Sequence, residues 1–225
     1  MNVAGLITVQ PDQTDLLSEL ACMVGTSFLE EMWYATWLGA LDAQEFDQSR
    51  KQAIMQAAIL ADYQATAPYG CVLTLPDQAA AANIYRRSEM ADASWSTLEE
   101  RTVSLFEASL SERERHLLAQ RTEEMEPISG SDWLLRTVEP SEDFLYVSSV
   151  GVDSEQRGTG AFGRLFKPLL GYADEQDIAI YLDCYTDRLE QLYGHYGFEL
   201  IERKRDPAFA IHERCMVRRP NTANA

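Results

Sequence analysis

The glycine-rich stretch from Val150 to Gly163 carries the residue types best suited to chemistry. It reads VGVDSEQRGTGAFG, after an apolar run and before a segment with helical spacing. Glycines let the backbone approach a ligand closely, and free N–H groups at the start of a helix bind anions. Arg157 adds a positive charge just before the glycines. The stretch therefore predicts a phosphate-binding turn between a strand and a helix.

One interpretation of this turn is dinucleotide binding by an NAD(P)-dependent oxidoreductase. Gly158-Thr-Gly160-Ala-Phe-Gly163 fits GxGxxG, and Asp183 ends a predicted strand 20 residues later. Against it, five polar residues from Asp153 to Arg157 separate the strand from the glycines, and only 42 residues follow Asp183. A P-loop is excluded, because no Gly-Lys-Ser/Thr follows.

A second motif favours another interpretation. The spacing Val152-x-x-x-x-Arg157-Gly158-x-Gly160 resembles the pyrophosphate loop of the GNAT N-acetyltransferase superfamily. Tyr193, followed four and five residues later by Gly197-Phe198, resembles that superfamily's helix-to-strand motif. The two motifs lie 35 residues apart, separated by a predicted helix and a predicted strand. The clear resemblance covers residues 144–217.

The resemblance implies an enzyme that uses acetyl-CoA as co-substrate, bound in a V-shaped opening between the strand ending at Val152 and the strand containing Leu182. The pantetheine amides would pair with the backbone of Val150 and Val152. The pyrophosphate would bind the N–H groups of the turn, which are those of Arg157, Gly158, Thr159, Gly160 and Ala161.

The implied reaction is direct attack of a primary amine of a small molecule or peptide on the thioester, in a ternary complex. Tyr193 is the expected catalytic residue, donating a proton to the leaving thiolate, and an N–H near Val150 would support the oxyanion. No general base is identified. Glu142, Asp143 and Asp183 could act through water, but each is better explained as a solvated or turn acid. His116 is expected on a solvated helix face, and His195, within the tyrosine motif, is expected on the surface or in the core.

The chain also departs from the family pattern. Phe162 stands where a small residue is usual, so its bulk must point away from the pyrophosphate or reshape the loop. This residue favours an alternative function, a non-catalytic acyl-CoA-binding sensor or partner module. Thr186 replaces a frequent Asn, and Ser154 replaces a frequent Pro.

Charge restricts the partners. The 225 residues include 36 Asp and Glu against 19 Lys and Arg, a net charge of −17, which argues against nucleic acid as a partner. Residues 1–140 carry 22 acids and 9 bases (net −13), and residues 141–225 carry 14 and 10 (net −4). An anion site is therefore expected in the last third, and a cationic amine acceptor is favoured. Four widely spaced cysteines predict reduced thiols and no metal site. With no signal peptide or membrane-spanning run, we expect a cytoplasmic protein; a homodimer is left open.

The elements that must position these residues predict a mixed α/β fold of the α+β type. We expect one GNAT-like domain over 1–225, with a central mixed sheet, flanking helices and a helical insertion at about 90–135, before the central acetyl-CoA-binding strand. Strands are predicted at Val3–Gln10, Gly70–Leu75, Ala80–Arg86, Phe144–Val152, Ile178–Cys184, Phe198–Arg205 and Ile211–Val217. Helices are predicted after an Asp12 cap and at Phe28–Leu41, Ala43–Tyr63, Leu98–Leu110, Glu112–Met125, Gly160–Gln176 and Arg188–Tyr196.

Two further expectations concern caps and tryptophans. Capping boxes at Thr97 and Ser111 are expected to open the two helices of the insertion. Four tryptophans are candidate walls of an acceptor pocket, and the first two of them are better explained as core: Trp33, Trp37, Trp95 and Trp133.

Overall fold

The computed structural model describes residues 1–44, 46–90, 95–129, 132–139 and 141–221. Within these ranges, eight α-helices flank one seven-stranded sheet. The strands are β1 (Ile7–Thr8), β2 (Val72–Thr74), β3 (Ala80–Arg86), β4 (Phe144–Val152), β5 (Ala179–Cys184), β6 (Glu199–Lys204) and β7 (Glu213–Arg218). The helices are α1 (Thr14–Phe28), α2 (Met32–Leu38), α3 (Gln48–Thr66), α4 (Trp95–Glu107), α5 (Glu112–Met125), α6 (Asp132–Thr137), α7 (Ala161–Gln176) and α8 (Asp187–His195).

The sheet has the order β1-β2-β3-β4-β5-β7-β6. Its neighbours pair antiparallel except β4 and β5, which are parallel. A parallel pair needs a crossover connection, and α7 provides it. The helices α4, α5 and α6 lie between β3 and β4, where the helical insertion was predicted. The predicted mixed fold is confirmed. None of the helices in the described ranges is long and apolar enough to cross a bilayer.

The central pair of strands separates part-way along its length. β4 pairs with β5 only from Phe144 to Val147, opposite Ala179 to Leu182. The pairing of β4 with β3 passes from Val147 to Ser149, so Ser148 is an extra residue, a β-bulge. A bulge bends the strand that contains it. Beyond it, β4 continues to Val152 without a β5 partner in the described chain, which leaves an opening between the two strands.

Apolar cores cover both faces of the sheet. On one face, α7 packs through Leu165 and Phe166 onto the central strands. On the other face, α1 and α3 pack together and α1 contacts β4. Two glycines allow this close approach: a Cβ at Gly151 would lie 2.6 Å from Val24 Cγ2, and one at Gly25 would lie 2.9 Å from the backbone of Gln56.

Helix ends differ most from prediction. The predicted Asp12 cap is wrong, because the N-cap of α1 is Gln13 and the helix begins at Thr14. The Gln13 side chain does not cap the helix; it accepts a hydrogen bond from the Gln10 N–H at 2.8 Å. The box at Thr97 is also wrong, since α4 already begins at Trp95. The box at Ser111 is confirmed, with the Glu114 side chain accepting from the Ser111 N–H at 2.8 Å.

Two predicted elements are shorter than expected. The strand predicted at Val3–Gln10 is reduced to β1, a two-residue edge strand. The helix predicted at Phe28–Leu41 is interrupted, because α1 ends at Phe28 and Glu31 caps a separate helix, α2.

Candidate active site

A cavity of about 1710 Å³ occupies the opening between β4 and β5. It is bounded on one side by α7, α8 and the turn before α7, and on the other by α2 and side chains of the central strands. Most of the residues predicted for the site line it, and they are Val150, Val152, Arg157, Gly158, Gly160, Ala161 and Tyr193. Thr159 is not part of the lining; its hydroxyl donates to the Gln156 carbonyl at 2.7 Å.

The turn before α7 is shaped by two glycines. Gly158 and Gly160 have φ of 80° and 89°, the left-handed region that strains any residue with a side chain. Gly160 is the N-cap of α7 and no side chain caps the helix there. Within the described residues, no hydrogen bond engages the N–H of Gly160 or Ala161. The start of α7 can therefore bind an anion through its N–H groups.

Basic side chains surround this end of the cavity. Arg157, Arg164, Lys167 and Arg188 contribute to the lining and are exposed. Arg157 forms an ion pair with Glu30 at 3.0 Å, and Arg164 forms another pair at 2.8 Å. Exposed pairs of this kind contribute little to stability, so these guanidinium groups can exchange a carboxylate for a phosphate at small cost.

Tyr193 is buried in an aromatic cluster between α7 and α8. It is 8% exposed and lies 6.2 Å from Phe162 and 5.8 Å from Phe166 between ring centroids. Phe162 also stacks on Phe166 at 4.8 Å, so its bulk packs toward α8. Burial raises the pKa of the Tyr193 hydroxyl well above its ordinary value, and the charges of Cys184, Asp183 and Glu31 raise it further. The hydroxyl therefore holds its proton at neutral pH, as a proton donor must.

Carboxyl groups line the opposite side of the cavity, on α2, β5 and β7. Asp183 accepts a hydrogen bond from the Tyr146 hydroxyl. Glu213 Oε1 accepts from the Tyr185 hydroxyl at 3.1 Å, and its Oε2 lies 3.1 Å from Lys204 Nζ. The Glu31 side chain accepts the Trp33 N–H at 2.8 Å through Oε2 and so caps α2.

Burial is the largest influence on the pKa of each of these three acids. It raises the pKa of Asp183, although hydrogen bonding from Tyr146 opposes the shift. It raises the pKa of Glu31, with a further contribution from the charge of Asp183. Burial followed by Asp183 raises the pKa of Glu213 to about 7. All three carboxyls therefore hold negative charge less readily than exposed ones do.

The acids considered from sequence have different outcomes. Asp143 accepts hydrogen bonds from the Ser88 N–H and from Arg86 at 2.9 Å, so it is a turn acid as expected, and Glu142 is exposed. Asp183 is not a turn or solvated acid, because it lines the cavity; that interpretation is wrong. His116 is exposed, as expected, and His195 takes the surface position of the two that were left open; neither is part of the cavity lining.

The four candidate tryptophans have different positions in the structure. Trp37 belongs to the core, as predicted. Trp33 packs against the same core, as predicted, stacked on Trp37 at 5.9 Å, and it also lines the cavity. Trp133 is fully buried beside Phe144, so its candidacy as a pocket wall is wrong. The side chain of Trp95 lies outside the described part of the structure.

Sequence reasoning missed several polar residues that line the cavity. Glu31, Tyr146, Tyr185 and Glu213 were not selected. The available signal was a polar side chain at alternate positions of otherwise apolar strands, as in Asp183 and Tyr185. Of the two other departures, Thr186 caps α8 by accepting the Leu189 N–H at 3.2 Å, and Ser154 begins a short 3-10 turn.

Solved structures resemble this arrangement of elements. An N-acetyltransferase from Staphylococcus aureus Mu50 superposes with a TM-score of 0.55 at 15% identity, over 95% of this chain and 100% of that one. A protein described as histone acetyltransferase HPA2 and related acetyltransferase, from Corynebacterium glutamicum ATCC 13032, gives 0.52 at 16% identity over 100% of both chains. Another acetyltransferase gives 0.51 at 16% identity, over 96% of this chain and 99% of that one.

The chain has the GNAT fold. The likeness is one of fold, since no protein-family model and no curated protein matches the sequence. In this GNAT fold, the separated strands are β4 and β5, and the helix that begins at the glycine turn is α7. Within the described ranges, no group of three or more His, Cys, Asp or Glu could hold a metal ion.

Proposed function

We propose that the protein is an acetyl-CoA-dependent N-acetyltransferase acting on a primary amine of a small molecule or peptide. The observation that carries the proposal is the continuity of the cavity. It connects a helix start that no side chain caps, with basic side chains beside it, to the buried hydroxyl of Tyr193, along an open strand edge. A long thioester with phosphates at one end fits these three features together.

The residues present fit acetyl-CoA. The N–H groups at Gly160 and Ala161, with Arg157 beside them, would hold the pyrophosphate. The edge of β4 from Ser148 to Val152 has no β5 partner in the described chain, so its backbone groups can pair with amides of the pantetheine arm. The reacting thioester would then lie near the bulge, close to Tyr193.

Direct transfer needs few groups. The neutral amine nitrogen would attack the carbonyl carbon while a backbone N–H near Val150 supports the oxyanion. The C–S bond would then break, with Tyr193 giving its proton to the departing sulfur. The proton released by the amine would pass to a cavity carboxylate, for which Asp183 is a candidate because it lines the cavity on β5.

Two measurements test the proposal. Acetyl-CoA and free CoA are expected to raise the melting temperature, while NAD(P) has no effect. Release of thiol from acetyl-CoA is then measured over a panel of primary amines, with mass spectrometry of the acetylated product. Stabilisation without transfer to any amine would favour a non-catalytic acyl-CoA-binding module. Stabilisation by NAD(P) alone would favour an oxidoreductase.

The four cysteines are unpaired, which supports the reducing cytoplasm as the place where this reaction occurs.

A further inference from the structure

Basic and acidic side chains line the cavity on different elements. Arg157, Arg164, Lys167 and Arg188 belong to the turn before α7, to α7 and to α8. The acids Glu31, Asp183 and Glu213 line the other side, which α2, β5 and β7 form. The basic side suits the phosphates of acetyl-CoA. The acidic side is therefore left for the acceptor.

Positive charge reaches two of these three acids. Lys204 forms an ion pair with Glu213 at 3.1 Å, and its charge opposes the rise in the pKa of Asp183. Asp183 is hydrogen-bonded by a neutral hydroxyl, that of Tyr146. Glu31 Oε1 is buried and has no hydrogen-bond partner in the described chain. A buried carboxylate oxygen without a donor is costly unless a ligand supplies one.

The walls around Glu31 are aromatic. Trp33 lies 4.9 Å from Tyr34 and 6.3 Å from Tyr185 between ring centroids, and all three rings line the cavity. Aromatic faces next to a carboxylate attract organic cations, because the ring quadrupole and the negative charge act in the same direction. This observation is independent of the acids themselves and indicates the same kind of ligand.

The reacting nitrogen cannot supply the missing charge. An amine attacks a thioester only in its neutral form, so in the reactive complex this nitrogen no longer compensates the carboxylates. A second cationic group on the same molecule can do so throughout the reaction. We propose that the acceptor is a compact amine with a second positively charged group, which binds beside Glu31 against the aromatic wall that includes Trp33 and Tyr34. This inference rests on the proposed acetyl transfer and specifies its substrate class.

A matched set of acceptors tests the proposal. 1,4-Diaminobutane, butylamine and 4-aminobutanoate share a four-carbon chain and a primary amine, and differ in the charge at the far end. We expect kcat/KM to be highest for the diamine, about tenfold lower for butylamine and lower again for the amino acid, since one favourable charged contact is worth about 1.4 kcal/mol or more. Equal values for the three, or a preference for butylamine, would overturn the inference.

The variant Glu31→Gln tests whether the second cationic group of the acceptor binds beside Glu31. Glutamine keeps the oxygen that caps α2, so the fold is retained, but the negative charge is lost. The ratio of kcat/KM for the diamine to that for butylamine should fall about tenfold. Glu19→Gln removes the same charge from an exposed position on α1 outside the cavity, and should leave the ratio unchanged. An unchanged ratio in Glu31→Gln would contradict the assignment.

A binding measurement separates this inference from the proposed function. The CoA-bound protein is titrated by calorimetry with 1,4-diaminobutane and with butylamine. Tighter binding of the diamine, weakened by Glu31→Gln, supports the site even if no amine is acetylated. Transfer to all three amines without preference, together with equal binding, would leave the enzyme assignment intact and refute the cation site.

Discussion

At the scale of single residues, the backbone at Gly158 and Gly160 decides what the turn can bind. Both have positive φ, and a Cβ at either would meet nothing within 4 Å, so the requirement for glycine is conformational and not one of crowding. The space around them is what a phosphate would fill. Resemblance to a known loop could identify these glycines from sequence, because glycine leaves a visible signal.

Gly160→Ala should weaken acetyl-CoA binding by about tenfold, because a left-handed Ala costs roughly 1–2 kcal/mol and the turn relaxes to avoid it. Gly171→Ala is the matched control: this exposed glycine lies within α7 with nothing near its Cβ. It should raise stability by up to ~1 kcal/mol and leave affinity unchanged. Calorimetry and denaturant unfolding measure both. If Gly160→Ala bound acetyl-CoA with wild-type affinity, the turn before α7 would not be part of the acetyl-CoA site.

Tyr193→Phe should lower kcat by about 10²-fold or more, the usual contribution of a positioned general acid. Acetyl-CoA should still raise the melting temperature as in the wild type, because the ring and its packing are retained. Tyr181→Phe serves as the control, since Tyr181 is buried in β5 but does not line the cavity. Unaltered turnover in Tyr193→Phe would exclude it as the proton donor.

At the scale of elements, α5 is held to α3 by a charge pair built on its cap. Glu114 completes the capping box of α5 and also accepts Arg50 Nε at 2.6 Å. The side chain of Glu114 is 3% exposed and that of Arg50 is 37% exposed, so water screens the pair from the arginine side only. The Arg50 guanidinium lowers the pKa of Glu114 to about 2. The box was predictable from local sequence; the arginine, 64 residues earlier, was not.

Glu114→Gln should lower the free energy of unfolding by on the order of 2 kcal/mol at pH 7. A folded-state pKa below the ordinary 4.5 means that the stabilisation is complete above pH 4.5 and is lost as pH falls toward 2. The difference in free energy of unfolding between wild type and Glu114→Gln should therefore shrink as pH falls from 4.5 toward 2. Urea unfolding at several pH values measures it. Glu112→Gln, exposed in the same helical turn, should have a small effect. A gap independent of pH would contradict the ion pair.

Long periodic elements were predictable, but the contacts between them were not. The strands at Phe144–Val152 and Ala80–Arg86 occur as predicted because each is largely apolar, and the helix at Glu112–Met125 occurs as predicted because its capping box marks its start. The break between α1 and α2 depends on Glu31, whose side chain caps α2. The sequence pattern did not predict this cap. Asp183 looked like a turn acid because its neighbours across the cavity come from α2 and β7, far away in sequence.

At the scale of the whole molecule, the protein is strongly acidic, yet part of its cavity is lined by basic side chains. The net charge of −17 repels polyanions generally. The recess at α7 and α8 nevertheless gathers several basic side chains, and those that line it belong to the last third of the chain, where an anion site is predicted. Composition could suggest the division of charge, but only the fold brings Glu30 of the acidic part to Arg157 at 3.0 Å.

Glu30→Gln should tighten acetyl-CoA binding by about two- to fivefold, because an exposed ion pair worth up to ~1 kcal/mol no longer competes for Arg157. Calorimetry at low and high salt measures the effect, which should shrink at high ionic strength. Glu19→Gln changes the net charge equally and controls for long-range effects. Weaker binding in Glu30→Gln would mean that Glu30 positions Arg157 and does not compete for it.

The separation of β4 from β5 has a consequence for the integrity of the sheet. Among the residues that the structure describes, four pairs connect β1–β4 with β5–β7, and they join Phe144 to Val147 with Ala179 to Leu182. A pantetheine arm paired with the free edge of β4 would extend that short seam along the strand. The pantetheine arm would then act as a temporary eighth strand. Its hydrogen bonds to β4 would form when acetyl-CoA binds and be lost when CoA dissociates, so the sheet would be more complete in the bound state than in the free one.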